Sequence, residues 1–170
     1  LIRKPTSGKL QFRISQPQEP IMRQPILVAA LCLAGSAVLA SPVEDALEAR
    51  QGFMKMISME MATLAGMAKG EVEYDEAAAS AAASNLMALA QYDAPKLFIE
   101  GSSSDDTDDS DALPAIWEDQ EDFNAKFAAF SDATAGIDQA VMGGQENVGP
   151  VLQKLGTTCS DCHKPYRMDR

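Results

Sequence analysis

Basic and aromatic residues are scarce in this chain. Its 170 residues hold 14 Lys+Arg against 25 Asp+Glu, with one Trp and three Tyr. The acidic excess gives a formal net charge of −11. Like charge repels phosphate backbones and anionic lipid headgroups, which argues against nucleic acid and anionic membrane as partners. It suits a soluble protein that meets a basic partner, or none. Strand-like alternation and hairpin signals are missing, so the pattern predicts no sheet. Histidine occurs once, as His163, and cysteine three times. No sign of a second core appears, so one folded domain is expected. What the chain has in quantity is Ala and Met, which favours helix.

The front of the chain reads as a targeting segment. Residues 22–40, MRQPILVAALCLAGSAVLA, open on Met22 and Arg23 and run through an apolar stretch from Ile26 to about Leu39. Val38 and Ala40 occupy the −3 and −1 positions of a signal-peptidase site, with cleavage after Ala40. The run falls short of the ~20 residues of a transmembrane helix, which makes an uncleaved anchor the weaker alternative. Leu31 precedes Cys32 where a lipoprotein site needs a small residue. Residues 1–21 show no periodicity and begin on Leu. They read as a non-native start ahead of Met22, or as an extended basic n-region. Cleavage removes five basic residues (Arg3, Lys4, Lys9, Arg13, Arg23) and one acidic (Glu19), taking the charge from −11 to −15. It also removes Cys32. The mature domain, 41–170, then carries only Cys159 and Cys162, in an exported and oxidising compartment expected to be the periplasm.

Four segments carry helical period. The first is expected over about 42–68, with Ser41 as N-cap, Pro42 at the first position and Glu44 closing a capping box. Its seam is Val43, Leu47, Arg50, Met54, Ile57, Met61, Leu64 and Ala68, in unbroken 4-3 alternation, and Gly70 ends it. The second spans about 75–91, capped by Asp75, with seam Ala79, Ala82, Leu86 and Leu89. A long link follows, in which KLFI (96–99) tucks onto the bundle. The stretch GSSSDDTDDSD (101–111) reads as a solvated, mobile loop, since its aspartates fail the EF-hand pattern. The third helix is expected over 114–142, with seam Ile116, Gln120, Phe123, Phe127, Phe130, Thr134, Ile137 and Val141. The fourth spans about 148–166, with seam Val148, Leu152, Leu155, Cys159, Cys162 and Tyr166. The fold class is therefore all-α, an antiparallel four-helix bundle.

The last helix carries the chemistry. In TTCSDCHKPYRMDR, Cys159, Cys162 and His163 project within one narrow arc at 100° per residue. Two thiols and an imidazole on one helical turn suit covalent attachment of haem: the thiols add to its vinyl groups and the imidazole coordinates iron. A thioredoxin-like pair needs a β-α-β setting. A structural zinc site needs four ligands, and the mature chain offers one His and two Cys. A chance motif is the remaining alternative, but export and placement on the bundle seam both agree with haem. The first seam adds Arg50, its only charged member. A core-facing guanidinium is costly unless paired, and haem propionates would pair it; the alternative is an Arg that reaches water along its stem. Met54 is a candidate sixth ligand, or core. Trp117 and the Phe123/Phe127/Phe130 stripe are expected in the core, with haem contact as a second role.

Together these residues resemble the class II c-type cytochromes, the cytochrome c′ family. The resemblance spans about 43–170. It is carried by ARQGFM in the first helix, AKGEVEYDEAAA at the first turn, PKLF in the link, PAIW opening the third helix, and GTTCSDCHKPYR at the end. It implies one haem c bound through Cys159 and Cys162, with His163 as proximal iron ligand. It also implies Arg50 and Gln51 near the propionates, Met54 on the distal side, Arg167 near the proximal histidine, and Gly156 where the porphyrin comes close. Pro165 departs from the pattern, and should loosen or end the helix just past His163.

Two functions follow from the resemblance, neither of them an enzyme; a binding or structural bundle without haem is a third, weaker alternative. In low-spin members a methionine of the first helix completes His/Met coordination and the protein carries electrons. Met54 matches the position of that methionine, which some five-coordinate members share without an iron bond, while the sequences FMK and PKLF look more like the low-spin branch. In five-coordinate members an open distal face binds nitric oxide or carbon monoxide; Phe53, Met54 and Ile57 would line it here. The expected partner is a redox protein with a basic surface, with no membrane contact after signal cleavage. Dimerisation through the first two helices is common in the family, and Met56, Met59 and Met67, opposite the core seam, are expected to be exposed for it.

Overall fold

The computed structural model describes residues 41–169. The signal segment and the residues before it lie outside the described residues. Helix α1 spans Pro42–Ala68. Its start is the expected capping box: Ser41 Oγ accepts from the Glu44 amide at 3.1 Å, and the Ser41 amide donates to Glu44 Oε2 at 2.9 Å. Gly70 follows its end with φ +71°, a conformation that glycine adopts without strain. Helix α2 spans Glu76–Ala90, with the Asp75 carboxylate accepting from the Ala78 amide. Its Ala79, Ala82 and Ala83 are buried, and α2 packs against both α1 and the later helices.

The third helix is not continuous, which corrects the expected 114–142 span. It divides into α3 (Ala115–Glu118), α4 (Gln120–Thr134) and α5 (Ile137–Ala140). Asp119 leaves helical geometry at φ −134°, ψ 69°, and its carboxylate caps α4 by accepting from the Asp122 amide at 3.0 Å. Gly136 sits at φ +71° and opens α5. The seam survives both breaks at Ile116, Phe123, Phe130, Thr134, Ile137 and Val141, all buried, while Gln120 faces outward.

Helix α6 spans Val148–Tyr166 and runs through Pro165 rather than ending before it. The proline lies in the last turn, where its missing N–H removes one helical bond. Two residues on, the Arg167 amide still donates to the His163 carbonyl at 2.9 Å. The four long helices α1, α2, α4 and α6 form an antiparallel four-helix bundle. No described helix is long and apolar enough to cross a membrane.

Two apolar clusters hold the bundle. One joins Leu64, Leu86, Val141, Val148 and Leu155 with the alanines of α2. The other joins Ala112, Ile116, Phe123 and Tyr166, with Phe98, Phe127 and Cys162 against it. Met67 belongs to the first cluster at 4% exposure, which corrects its expected place on the surface. The buried stripe of α1 is wider than one seam because the helix meets both α2 and α6. Met56 and Met59 are exposed, at 49% and 59%.

The segment 101–111 also differs from expectation. Its aspartates 105, 106, 108 and 109 are exposed, but Ser102, Ser103 and Ser110 are buried. The loop is fixed by hydrogen bonds that satisfy those hydroxyls. It pairs with the end of the chain through an antiparallel bridge, Ala112 to Arg167.

Candidate functional site

Between the two apolar clusters lies a cavity of about 660 Å³, within the ~300–1,000 Å³ usual for ligand and cofactor pockets. Helix α6 supplies one wall with Gly156, Cys159, Cys162 and His163. Helix α1 supplies another with Arg50, Gln51, Met54, Ile57 and Met61. Phe123, Lys126, Phe127 and Phe130 enter from α4, Ile116 from α3, and Asp109, Asp111 and Ala112 from the loop. Every residue assigned to cofactor binding from the sequence thus borders one cavity.

Cys159 and Cys162 are partly buried on one turn of α6, and neither is in a disulfide among the described residues. Burial raises both pKa values, that of Cys162 to about 11 despite the nearby charge of Lys126. They are therefore thiols at neutral pH. Burial, and then the charge of Arg167, push the pKa of His163 down. A neutral imidazole keeps one nitrogen lone pair for a metal.

Arg50 is 6% exposed. Its Nη1 donates to Ser102 Oγ at 3.3 Å, and its Nη2 donates to the Ser102 carbonyl at 3.2 Å and to Ser110 Oγ at 2.9 Å. Its guanidinium lies 4.7 Å from the centre of the Phe98 ring. Burial lowers its pKa, and the charge of Asp111 opposes that. The stem-to-water alternative does not describe this buried side chain. Gln51 likewise reaches the loop, donating to the Asp109 carbonyl at 2.9 Å.

Met54 is half-buried on the cavity wall and belongs to neither apolar cluster, whereas Ile57 and Met61 pack on the first. Phe53 does not line the cavity as expected; it is buried against Tyr92, with ring centres 5.7 Å apart. Adjacent helical positions point about 100° apart, so Phe53 and Met54 serve different neighbours. Trp117 packs on the second cluster, and its buried Nε1 has no hydrogen-bond partner among the described residues. Gly156 matters for space: a Cβ there would meet no atom within 4 Å. Arg167 is exposed at the cavity edge.

Sequence reasoning missed Lys126, the place of Phe98 on the cavity wall and the partner of Tyr166. Lys126 pairs with Asp122 at 3.4 Å, one turn earlier on α4, and that i,i+4 spacing beside the Phe stripe was its only signal. Phe98 stacks edge-on against Phe123 at 4.7 Å. The donor set fits a covalently held haem. Two thiols and an imidazole share one face, an open space lies over Gly156, the remaining walls are largely apolar, and Arg50, Lys126 and Arg167 bring cations that can meet propionates.

Comparison with known proteins agrees. The family model described as Cytochrome C′ matches residues 45–167. The chain is 39% identical over 149 residues to a cytochrome c′ of Cereibacter sphaeroides, covering 88% of this chain and 100% of that one. It is 34% identical over 139 residues to a cytochrome c-556 of Agrobacterium fabrum, covering 82% and 90%. Among solved structures it is similar to a cytochrome c′ from Rhodobacter sphaeroides, with TM-score 0.72 and 41% identity, covering 77% of this chain and all of the other.

Proposed function

We propose that this chain, which belongs to the cytochrome c′ family, carries electrons in the periplasm, with His163 as proximal iron ligand and Met54 as the sixth. Membership implies haem c bound covalently, and Cys159 and Cys162 are the cysteines of its C-x-x-C-H motif. Bound in this cavity, the haem supplies a one-electron couple at iron. The chain supplies the rest. Cys159 and Cys162 would hold the group by thioether bonds to α6. His163 offers the lone pair that burial keeps unprotonated. Phe123, Phe127 and Phe130 keep that region dry. Arg50 carries five N–H donors, so three bonds to the loop leave capacity for a carboxylate within the cavity. The acidic surface steers a basic redox partner.

The observation that carries this reading is the position of Met54. Met54 borders, from α1, the cavity that α6 lines with Cys159, Cys162 and His163, and it takes no part in either apolar cluster. A core methionine would belong to one of them. A second reading keeps the sixth site open for nitric oxide or carbon monoxide. The apolar wall of Ile57, Met61 and Phe130 favours it. Absorption spectra of the haem-loaded protein separate the two. Sharp, split visible bands on reduction, unchanged by carbon monoxide, support the electron carrier. A broad high-spin spectrum that shifts with the gas makes it a gas binder.

A further inference from the structure

The loop 99–113 is fastened to two helices at once. On one side Arg50 and Gln51, one turn before Met54 on α1, bind Ser102, Ser110 and the Asp109 carbonyl. On the other side the Leu113 amide donates to the Tyr166 carbonyl at 3.0 Å, and the Met168 amide donates to the Asp111 carbonyl at 2.8 Å, just beyond His163. The loop is tied to itself as well. Ser110 Oγ donates to the Ser102 carbonyl at 2.8 Å and accepts from the Ala112 amide at 3.1 Å, while Ser102 Oγ donates to the Ile99 carbonyl at 2.7 Å.

Each buried polar group of this clamp is answered by another. Ser110 Oγ uses its one proton and accepts two bonds, including one from a cation. Removing a member strands the others in a dry place. The same loop forms a wall of the cavity through Asp109, Asp111 and Ala112. A loop that loosened would admit water there. It would also loosen the link between the helix that carries Met54 and the helix that carries His163.

We infer that Arg50, Ser102 and Ser110 are positioning residues for the redox centre: their clamp fixes the loop as a water-excluding wall of the haem cavity and so holds the reduction potential up. The inference rests on the haem reading above. Its physical basis is that solvent exposure and the surrounding hydrogen bonds set a haem potential. Water stabilises the oxidised state, which carries one more positive charge, and the potential falls.

The test compares haem-loaded wild type with Ser110→Ala and Arg50→Lys, which keeps the charge but not the planar fork. Mass spectrometry first checks covalent haem; a chain without it overturns the underlying reading, and this inference with it. Amide exchange over 99–113 and the midpoint potential are then measured on loaded protein. The expected result is loop exchange faster by about ten- to a hundred-fold, as the loss of a hydrogen bond to a charged donor implies, together with a lower potential. Faster exchange at an unchanged potential makes the clamp merely structural and overturns the inference, as does no change in either. Ser102→Ala, which removes the 3.3 Å contact from Arg50 and the 2.7 Å bond to the Ile99 carbonyl, gives the same comparison if Ser110→Ala does not fold.

Discussion

Tyr166 donates its phenolic hydrogen to Asp122 Oδ2 at 2.7 Å, fastening the end of α6 to the first turn of α4. The ring is buried and meets Phe123 edge-on at 5.3 Å. Burial first, and then the bond to Asp122, push the phenol pKa up to about 12. The same bond holds the Asp122 carboxyl below its usual range, with Lys126 assisting. This contact sits beside the C-x-x-C-H turn, so it bears on how firmly that turn is held.

It also gives a pH dependence with a definite sign. A carboxyl whose folded pKa is depressed stabilises the fold fully above its unfolded value of ~3.9, and that contribution is lost as pH falls through the folded value. Tyr166→Phe removes the main cause of the depression. Denaturant unfolding should show the variant less stable than wild type at pH 7, with the gap closing as pH drops below about 4. A gap that stays constant into acid would assign the loss to packing instead.

The core should respond as a close-packed bundle interior does. Leu155 is fully buried in the first cluster. Leu155→Ala removes apolar contact and leaves a void, at a cost of about 2–5 kcal/mol. Chemical unfolding of the loaded protein measures it. A loss below about 1 kcal/mol would mean that the site collapses around the gap.

How much of this was legible in the sequence depends on what kind of signal each feature leaves. The ends of α1, α2 and α6 were legible because Ser41, Asp75 and the last turn at Tyr166 act locally. The seam of the third helix was legible too, but its breaks were not. Ile116, Phe123, Phe130 and Ile137 keep their spacing across Asp119 and Gly136, so periodicity alone reads through both. Cys159, Cys162 and His163 came from one contiguous motif. The loop was misread for a physical reason. A run of Ser and Asp looks solvated by composition, yet Ser102 and Ser110 are buried because Arg50, 52 and 60 residues away, satisfies them. No local pattern announces a partner that distant.

Gly156 offers a test of the cavity that bypasses spectroscopy. Its missing side chain faces open space beside Cys159. Gly156→Ala should load haem as wild type does. Gly156→Leu should lower the ratio of covalent haem to protein several-fold, measured by mass, because its branches enter the volume the porphyrin needs. Equal loading of both variants would mean that the porphyrin does not approach α6 there.

The exposed methionines of α1 carry the proposal of a homodimer. Met56 and Met59 lie on the outer face at 49% and 59% exposure, where apolar side chains gain from cover. Light scattering should give a dimer mass for wild type. Met56→Lys with Met59→Lys should give a monomer, since paired cations would face each other across a twofold contact. A monomeric wild type at high concentration contradicts this proposal.

The most direct test of the central claim compares carbon monoxide binding to the reduced wild type and to Met54→Ala. If Met54 holds the sixth position, reduced wild type ignores the gas. The variant, with that thioether removed, turns high-spin and binds it. Equal, ready binding by both would show that Met54 does not hold the iron, and the electron-carrier account in its His/Met form would fall.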